Sequence, residues 1–475
     1  MKRITIFLVL GLLVAFAFVG SAHAQNAYSA AFTTSITYQN VGTGTASVVF
    51  SFYPENNGTP ITYPATLAPN AGGSLFVGNV NGLAAGFNGS AVLSSDQPVV
   101  ATLVQISSDS AIKNRPLSNG FSSGAPEFLL ATVLKNQFNS TTRFSVQNAH
   151  STSVDLTLEF YNASNPGGAP ITVTHNNLPV GAAKYFDMGQ ITQITASSFN
   201  GSAVISAVES GTSTPANIVA SALELSTNGV AASSFEGVSS GASTVYMPSA
   251  ICNAFGGQNT AYAIQNTGTT TANATVTFSN GNTVGPLSIA PGAKQSVQGC
   301  SGGNTAGFSG SATITSPGGE LVVIGKVFGA GLSTAFVGAT AGSEMLALPY
   351  VRWSESQYAS GARQRAFIAI QNVGGALNAG DVVLSYVNKD GNVVGTHTLG
   401  ALSTGQKLNS NASLASVASG FSQSDLDEFG FVNGFGGSVI IEAPAGSELV
   451  AVVRISSTDS GSLVGEDYNG IAIGP

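Results

Sequence analysis

Charge is scarce in this sequence. Lys, Arg, Asp and Glu make up 8% of its 475 residues, against about 25% in an ordinary globular protein. With 15 cations against 23 anions the formal net charge is −8, so the chain offers no basic footprint to nucleic acid and none to anionic lipid. Hydrophobic residues still reach 43%, which is not the composition of a disordered chain. Ser, Thr, Asn, Gln and Gly must therefore cover the surface.

Histidine is nearly as rare. Residues 1–24 have the shape of an export signal: Lys2 and Arg3, an apolar stretch over 4–19, and Ala22-His23-Ala24 as a small-x-small cleavage site before Gln25. Its removal leaves His150, His175 and His397 and takes the net charge to −10. Three histidines dispersed in this way do not converge on a shared centre. No catalytic, cofactor-binding or metal-binding residue is assigned, and the chain does not read as an enzyme. Gly120-Phe121-Ser122-Ser123-Gly124 and Gly237-Val238-Ser239-Ser240-Gly241 match the G-x-S-x-G elbow of hydrolases, yet neither stands between a strand and a helix. Asn388-Lys389-Asp390-Gly391-Asn392 reads as a hairpin turn, lacking the downstream acidic ligand of a calcium loop. Asp425, Asp427 and Glu428 form one acidic cluster, read as a solvated loop.

Long apolar runs are absent after residue 24, so no membrane insertion is expected once the signal is removed. Cysteine is limited to Cys252 and Cys300. In an exported chain this pair predicts a disulfide. Helical periodicity is missing too; Gln423 to Glu428 is the one stretch that could form a helical turn.

What is present is a repeat. Thr141-Thr142-Arg143-Phe144-Ser145-Val146-Gln147-Asn148 has counterparts ending at Gln39-Asn40, Gln265-Asn266 and Gln371-Asn372, and the Gln positions are separated by 108, 118 and 106 residues. Large and small residues alternate in each copy, as in a strand with one buried face. The Asn tolerates the left-handed conformation that a tight turn needs, so each motif reads as strand, then turn. A second alternating run follows each turn, making a hairpin. Further on comes Phe-x-Gly-Ser, at Phe87, Phe199, Phe308 and Phe435. The chain thus reads as all-β, four tandem immunoglobulin-like antiparallel β-sandwich domains. The boundaries drawn are 25–117, 118–232, 233–332, 333–460 with an insertion over 403–433, and a C-terminal tail over 461–475. Short aromatic-Gly connectors between units predict a semi-rigid rod.

The connectors, the Gln-Asn strands and Phe-x-Gly-Ser-Ala-Val at Phe87 to Val92 and Phe199 to Val204 together resemble repeats of uncharacterised secreted surface proteins of filamentous bacteria. That resemblance spans nearly all of the mature chain. It implies an extracellular β-sandwich array and supplies no activity.

The two ends do not match. Repeats two to four each open with a strand after the connector, whereas repeat one starts at about Tyr28 without one. The tail carries a connector and the start of an apolar strand at Tyr468, Ile471 and Ile473. These three residues are the candidate assembly site: the tail either completes the first domain of a neighbour by strand donation, giving a head-to-tail polymer, or folds onto its own fourth domain. Function is read as an extracellular structural subunit of a surface layer, sheath or filament. Its expected partners are copies of itself or other cell-surface components. The alternative is a monomeric adhesin or carbohydrate-binding module.

Overall fold

Alternation in the sequence becomes strand wherever the computed structural model describes the chain, namely residues 31–109, 111–112, 114–354, 364–415, 434–459 and 462–474. The signal segment, Asp425, Asp427, Glu428 and the stretch from Gln423 to Glu428 lie outside the described residues. The first unit holds β1 (Phe32–Asn40), β2 (Ala46–Pro54), β3 (Ile61–Leu67), β4 (Gly72–Phe76), β5 (Gly89–Ser95), β6 (Val99–Ser107) and β7 (Leu117–Asn119). The second holds β8 (Glu127–Lys135), β9 (Ser140–Asn148), β10 (Val154–Asn162), β11 (Ile171–Leu178), β12 (Ala183–Asp187), β13 (Phe199–Glu209), β14 (Ile218–Ser226) and β15 (Ala232–Glu236). The third holds β16 (Thr244–Cys252), β17 (Asn259–Asn266), β18 (Ala272–Phe278), β19 (Thr283–Ile289), β20 (Lys294–Gln298), β21 (Phe308–Thr315), β22 (Leu321–Gly329) and β23 (Leu332–Val337). The fourth holds β24 (Met345–Ser354), β25 (Gln364–Asn372), β26 (Val383–Val387), β27 (Val393–Thr398), β28 (Lys407–Ser410), β29 (Gly434–Glu442), β30 (Leu449–Asp459), β31 (Ser462–Asn469) and β32 (Ile471–Ala472).

Each unit is an antiparallel β-sandwich of immunoglobulin-like type. In the second unit one sheet runs β11-β10-β13-β8 and the other β12-β9-β14-β15. Units three and four repeat this order, with a single β24–β25 pair joining the two sheets of the fourth. The second and fifth strands pair, as do the third and sixth, as in immunoglobulin domains; the first strand joins the sixth and the seventh joins the second, opposite to the constant-domain order. Alternation decides the faces. In β10, Val154, Leu156, Leu158 and Phe160 are buried while Asp155, Thr157 and Glu159 face outward.

The strand that leads each of these units behaves differently. From Phe128 to Leu134, β8 is buried without alternation, because one face closes its own sandwich and the other packs on β17 and β22 of the next unit. β16 lies against β25 and β30 in the same way, and β24 against β1 and β6. The last of these contacts is between the fourth unit and the first.

The four units therefore close into a ring, which corrects the rod expected from the connectors. Successive joints reuse one bond: Ser90 Oγ donates to the Gly181 carbonyl at 2.7 Å, Ser202 Oγ to Gly292 at 2.6 Å and Ser311 Oγ to Gly405 at 2.7 Å. The closing joint is built otherwise. Gly72 N–H donates to the Lys389 carbonyl at 3.0 Å, so the Asn388 to Asn392 hairpin turn docks on the first unit, while Ser438 Oγ is buried without a partner among the described residues. Cores run through the joints: Val322 and Ile324 of unit three pack into unit two, and Val104 and Leu117 of unit one into unit four. At the centre the final strands β7, β15, β23 and β31 meet.

Those final strands also move the boundaries. The connector aromatics belong to the unit that precedes them, since Phe235, Phe336 and Tyr468 are buried in the sandwiches that β15, β23 and β31 complete. Units two to four thus extend to Glu236, Val337 and Asn469, not 232, 332 and 460.

Candidate assembly surface

Titratable groups are dispersed over this ring. His150 Nε2 pairs with Glu209 Oε1 at 3.0 Å. His175 meets Phe186 edge-on, and burial lowers its pKa. His397 bonds Ser410 Oγ at 2.7 Å in another unit and is lowered by burial as well. Among the described residues no three His, Cys, Asp or Glu side chains gather where they could hold a metal ion. Both G-x-S-x-G matches lie in connectors outside any helix. Trp353 is buried, edge-on to Phe367 and beneath the Arg365 guanidinium at 4.8 Å, which makes it core and not an exposed platform. No described helix is long and apolar enough to cross a membrane.

The two cysteines are bonded, with Cα atoms 4.6 Å apart. Cys252 ends β16 and Cys300 follows β20, so the bridge ties the lead strand of the third unit to its opposite sheet.

The tail residues are seated in their own molecule. Tyr468 lies in β31 opposite Val453, is buried, and donates its hydroxyl to the Tyr350 carbonyl at 2.8 Å. Ile471 pairs with Ala347 of β24, and Ile473 N–H donates to the Met345 carbonyl. Residues 463–469 are thus a core strand of the fourth sandwich and not a loose donor.

The unmatched first unit has a counterpart in three dimensions. Its second sheet has three strands, β3-β2-β5, where the other units have four. Among the described residues β5 pairs only with β2, although its equivalents β13, β21 and β29 each also hold a lead strand. Side chains report the difference: Ala203 and Ile205 of β13 are fully buried, whereas their counterparts Ala91 and Leu93 are half-buried. Beside β5 lies an open cleft of about 1920 Å³. Phe52, Phe87 and Leu93 of the first unit line one side, Phe144 and Leu223 of the second unit another, and Phe121 and Ile473 also line it.

The edge is also unguarded. Strands at sheet edges normally carry Lys or another charge against unwanted pairing; β5 reads Gly-Ser-Ala-Val-Leu-Ser-Ser and has none. The sequence showed the missing strand. It did not show that ring closure would bring the chain's own tail to the same cleft.

No family model matches the chain, and no curated protein matches it. Among solved structures it is similar to the tetra-tandem repeat in the extending region of a large adhesion protein, at 11% identity over 94% of this chain and 95% of that one, with a TM-score of 0.09. So loose a superposition carries no argument.

Proposed function

We propose that the chain is an extracellular structural protein, a subunit of a cell-surface layer, sheath or filament, joined to its surroundings through the first sandwich. One observation carries this: among the described residues the chain builds a sandwich three times in full and once with a sheet edge left open and uncharged. The disulfide suits an oxidising compartment outside the cytosol. The ring gives such an assembly a closed block whose joints share buried core residues.

Head-to-tail donation by the tail is not retained, because Tyr468, Ile471 and Ile473 are engaged within their own fourth sandwich. Electron microscopy of producing cells, with and without the gene and with an antibody to the first unit, tests the proposal. Continuous labelling of a layer, sheath or filament that disappears with the gene is expected. Sparse label on an unchanged envelope would instead favour the adhesin.

A further inference from the structure

We infer that the first sandwich takes up a strand donated by another polypeptide: an extended segment of about nine residues, apolar on both faces, lying antiparallel along β5. The inference rests on the assembly reading above and specifies its partner.

The chain itself shows what fills this position. In the other three units the lead strand pairs antiparallel with β13, β21 or β29. Its opposite edge meets the connector of the same unit, at Val238 for β8, Ala339 for β16 and Ile471 for β24. The first unit has both sides of that slot, β5 and, at the position equivalent to Val238, Phe121; both line the cleft. A sheet of the second unit also lines the cleft, as a sheet of the third packs on β8. An occupant therefore needs the character of β8, Glu-Phe-Leu-Leu-Ala-Thr-Val-Leu-Lys, buried on both faces between polar ends.

Among the described residues this chain has no such strand to spare. β8, β16 and β24 are seated in their own sandwiches, and the tail pairs with β24. By the 108-residue spacing of Asn40 and Asn148, the equivalent of β8 maps to residues 19–27, which straddle the cleavage site after Ala24. Cleavage there, as the sequence predicts, would leave three residues of it in the mature chain.

The register is equally specific. Ser206 faces Glu127 across the β13–β8 pair, and Ser94 is the counterpart of Ser206. A peptide of sequence 127–135 with flanking solubilising lysines is titrated calorimetrically into the mature full chain. One peptide per chain should bind, and methylating the backbone nitrogens that face β5 should weaken it at least tenfold. A Cys in place of Glu127 in the peptide should cross-link to the Ser94→Cys protein and not to Ser47→Cys. Absence of binding, or equal binding of a scrambled or methylated peptide, overturns the inference. Binding only after residues 25–30 are deleted also overturns it, by making the chain's own N-terminal segment the occupant. If the peptide docks in register while cells lacking the gene keep their surface structure, the docking stands and the assembly reading falls.

Discussion

At the scale of single residues, the repeated Gln-Asn pair does something other than turn the chain. None of Asn40, Asn148, Asn266 and Asn372 stands at positive φ. Each instead buries its amide as a tie of three hydrogen bonds, or four at Asn40. Asn148 Nδ2 donates to the Thr152 carbonyl at 2.8 Å and to Leu178 at 3.0 Å, while its Oδ1 accepts from His150 N–H at 2.8 Å. The side chain thus fastens the β9–β10 turn to the end of β11, in the opposite sheet. Asn148→Ala leaves two carbonyls and an N–H short of partners in a buried site, each worth about 1–3 kcal/mol when wholly unsatisfied. Partial access to water at the turn reduces the sum, and a loss of about 3 kcal/mol is expected from the guanidinium unfolding transition of the second unit. A loss under about 1 kcal/mol would mean that water replaces the amide. Asn148→Asp should not rescue, since a carboxylate cannot donate to either carbonyl. Position and recurrence of the Asn were legible in the sequence; its role was not, because the residue types that favour a left-handed turn are also those that cap one with a side chain. The Ser of Phe-x-Gly-Ser was likewise visible as a repeat. Its bond to a glycine carbonyl of the next unit has no local signature.

At the scale of elements, strand existence was legible from alternation, and the unit count followed from four copies of the Gln-Asn strand. Unit ends were misplaced because the connector aromatics sit beside glycines, which reads as linker until β15, β23 and β31 are seen to pair. The lead strands are the elements on which each full sandwich depends, and the third shows how one is held. Its bridge from Cys252 to Cys300 closes a loop with a sequence separation of 48. In the chain-entropy model such a closure contributes about 4 kcal/mol. The double variant Cys252→Ser, Cys300→Ser should lower the unfolding free energy of the third unit by about that amount, seen as a lower calorimetric midpoint, and reduction of the wild-type chain should do the same. The other units should melt unchanged unless they share the core that crosses the joint through Val452. Strands β8 and β24 have no such bridge and rely on burial against the following unit.

At the scale of the molecule, packing the units against one another withdraws ionisable groups from water: Glu466 and Lys294 are buried, and Glu236 and Lys407 are half-buried. Burial pushes Glu466 up to about 8 and Glu236 up to about 7, although each accepts a backbone N–H from the first unit, that of Arg115 and of Asn119. Both sit among the central strands. A carboxyl group whose folded pKa is raised contributes stability below its unfolded value near 4.5, and that contribution is lost as the pH climbs through the folded one. Lys294 and Lys407, lowered by burial to about 7 and about 8, act oppositely: folding gains stability as pH rises from there towards 10.5. The melting midpoint should therefore fall between pH 5 and pH 8 and recover by pH 10, and Glu466→Gln should flatten the acid limb alone. None of this was legible in the sequence, where short ordered connectors fit a rod and a ring equally well and no residue pattern spans the first and fourth units. Small-angle scattering separates the two shapes. A closed particle of this length should show a radius of gyration of about 22 Å, whereas four sandwiches in line, each roughly 35 Å long, would give about 40 Å. The closing joint can be attacked directly at Gly391, whose φ is +88° and where a Cβ would stand 2.3 Å from the Pro69 carbonyl oxygen. Gly391→Val should weaken the contact between the fourth and first units and shift the radius upward from the closed value. An unaltered radius and midpoint would show that the packing of β24 on β1 and β6 holds the ring shut without that turn.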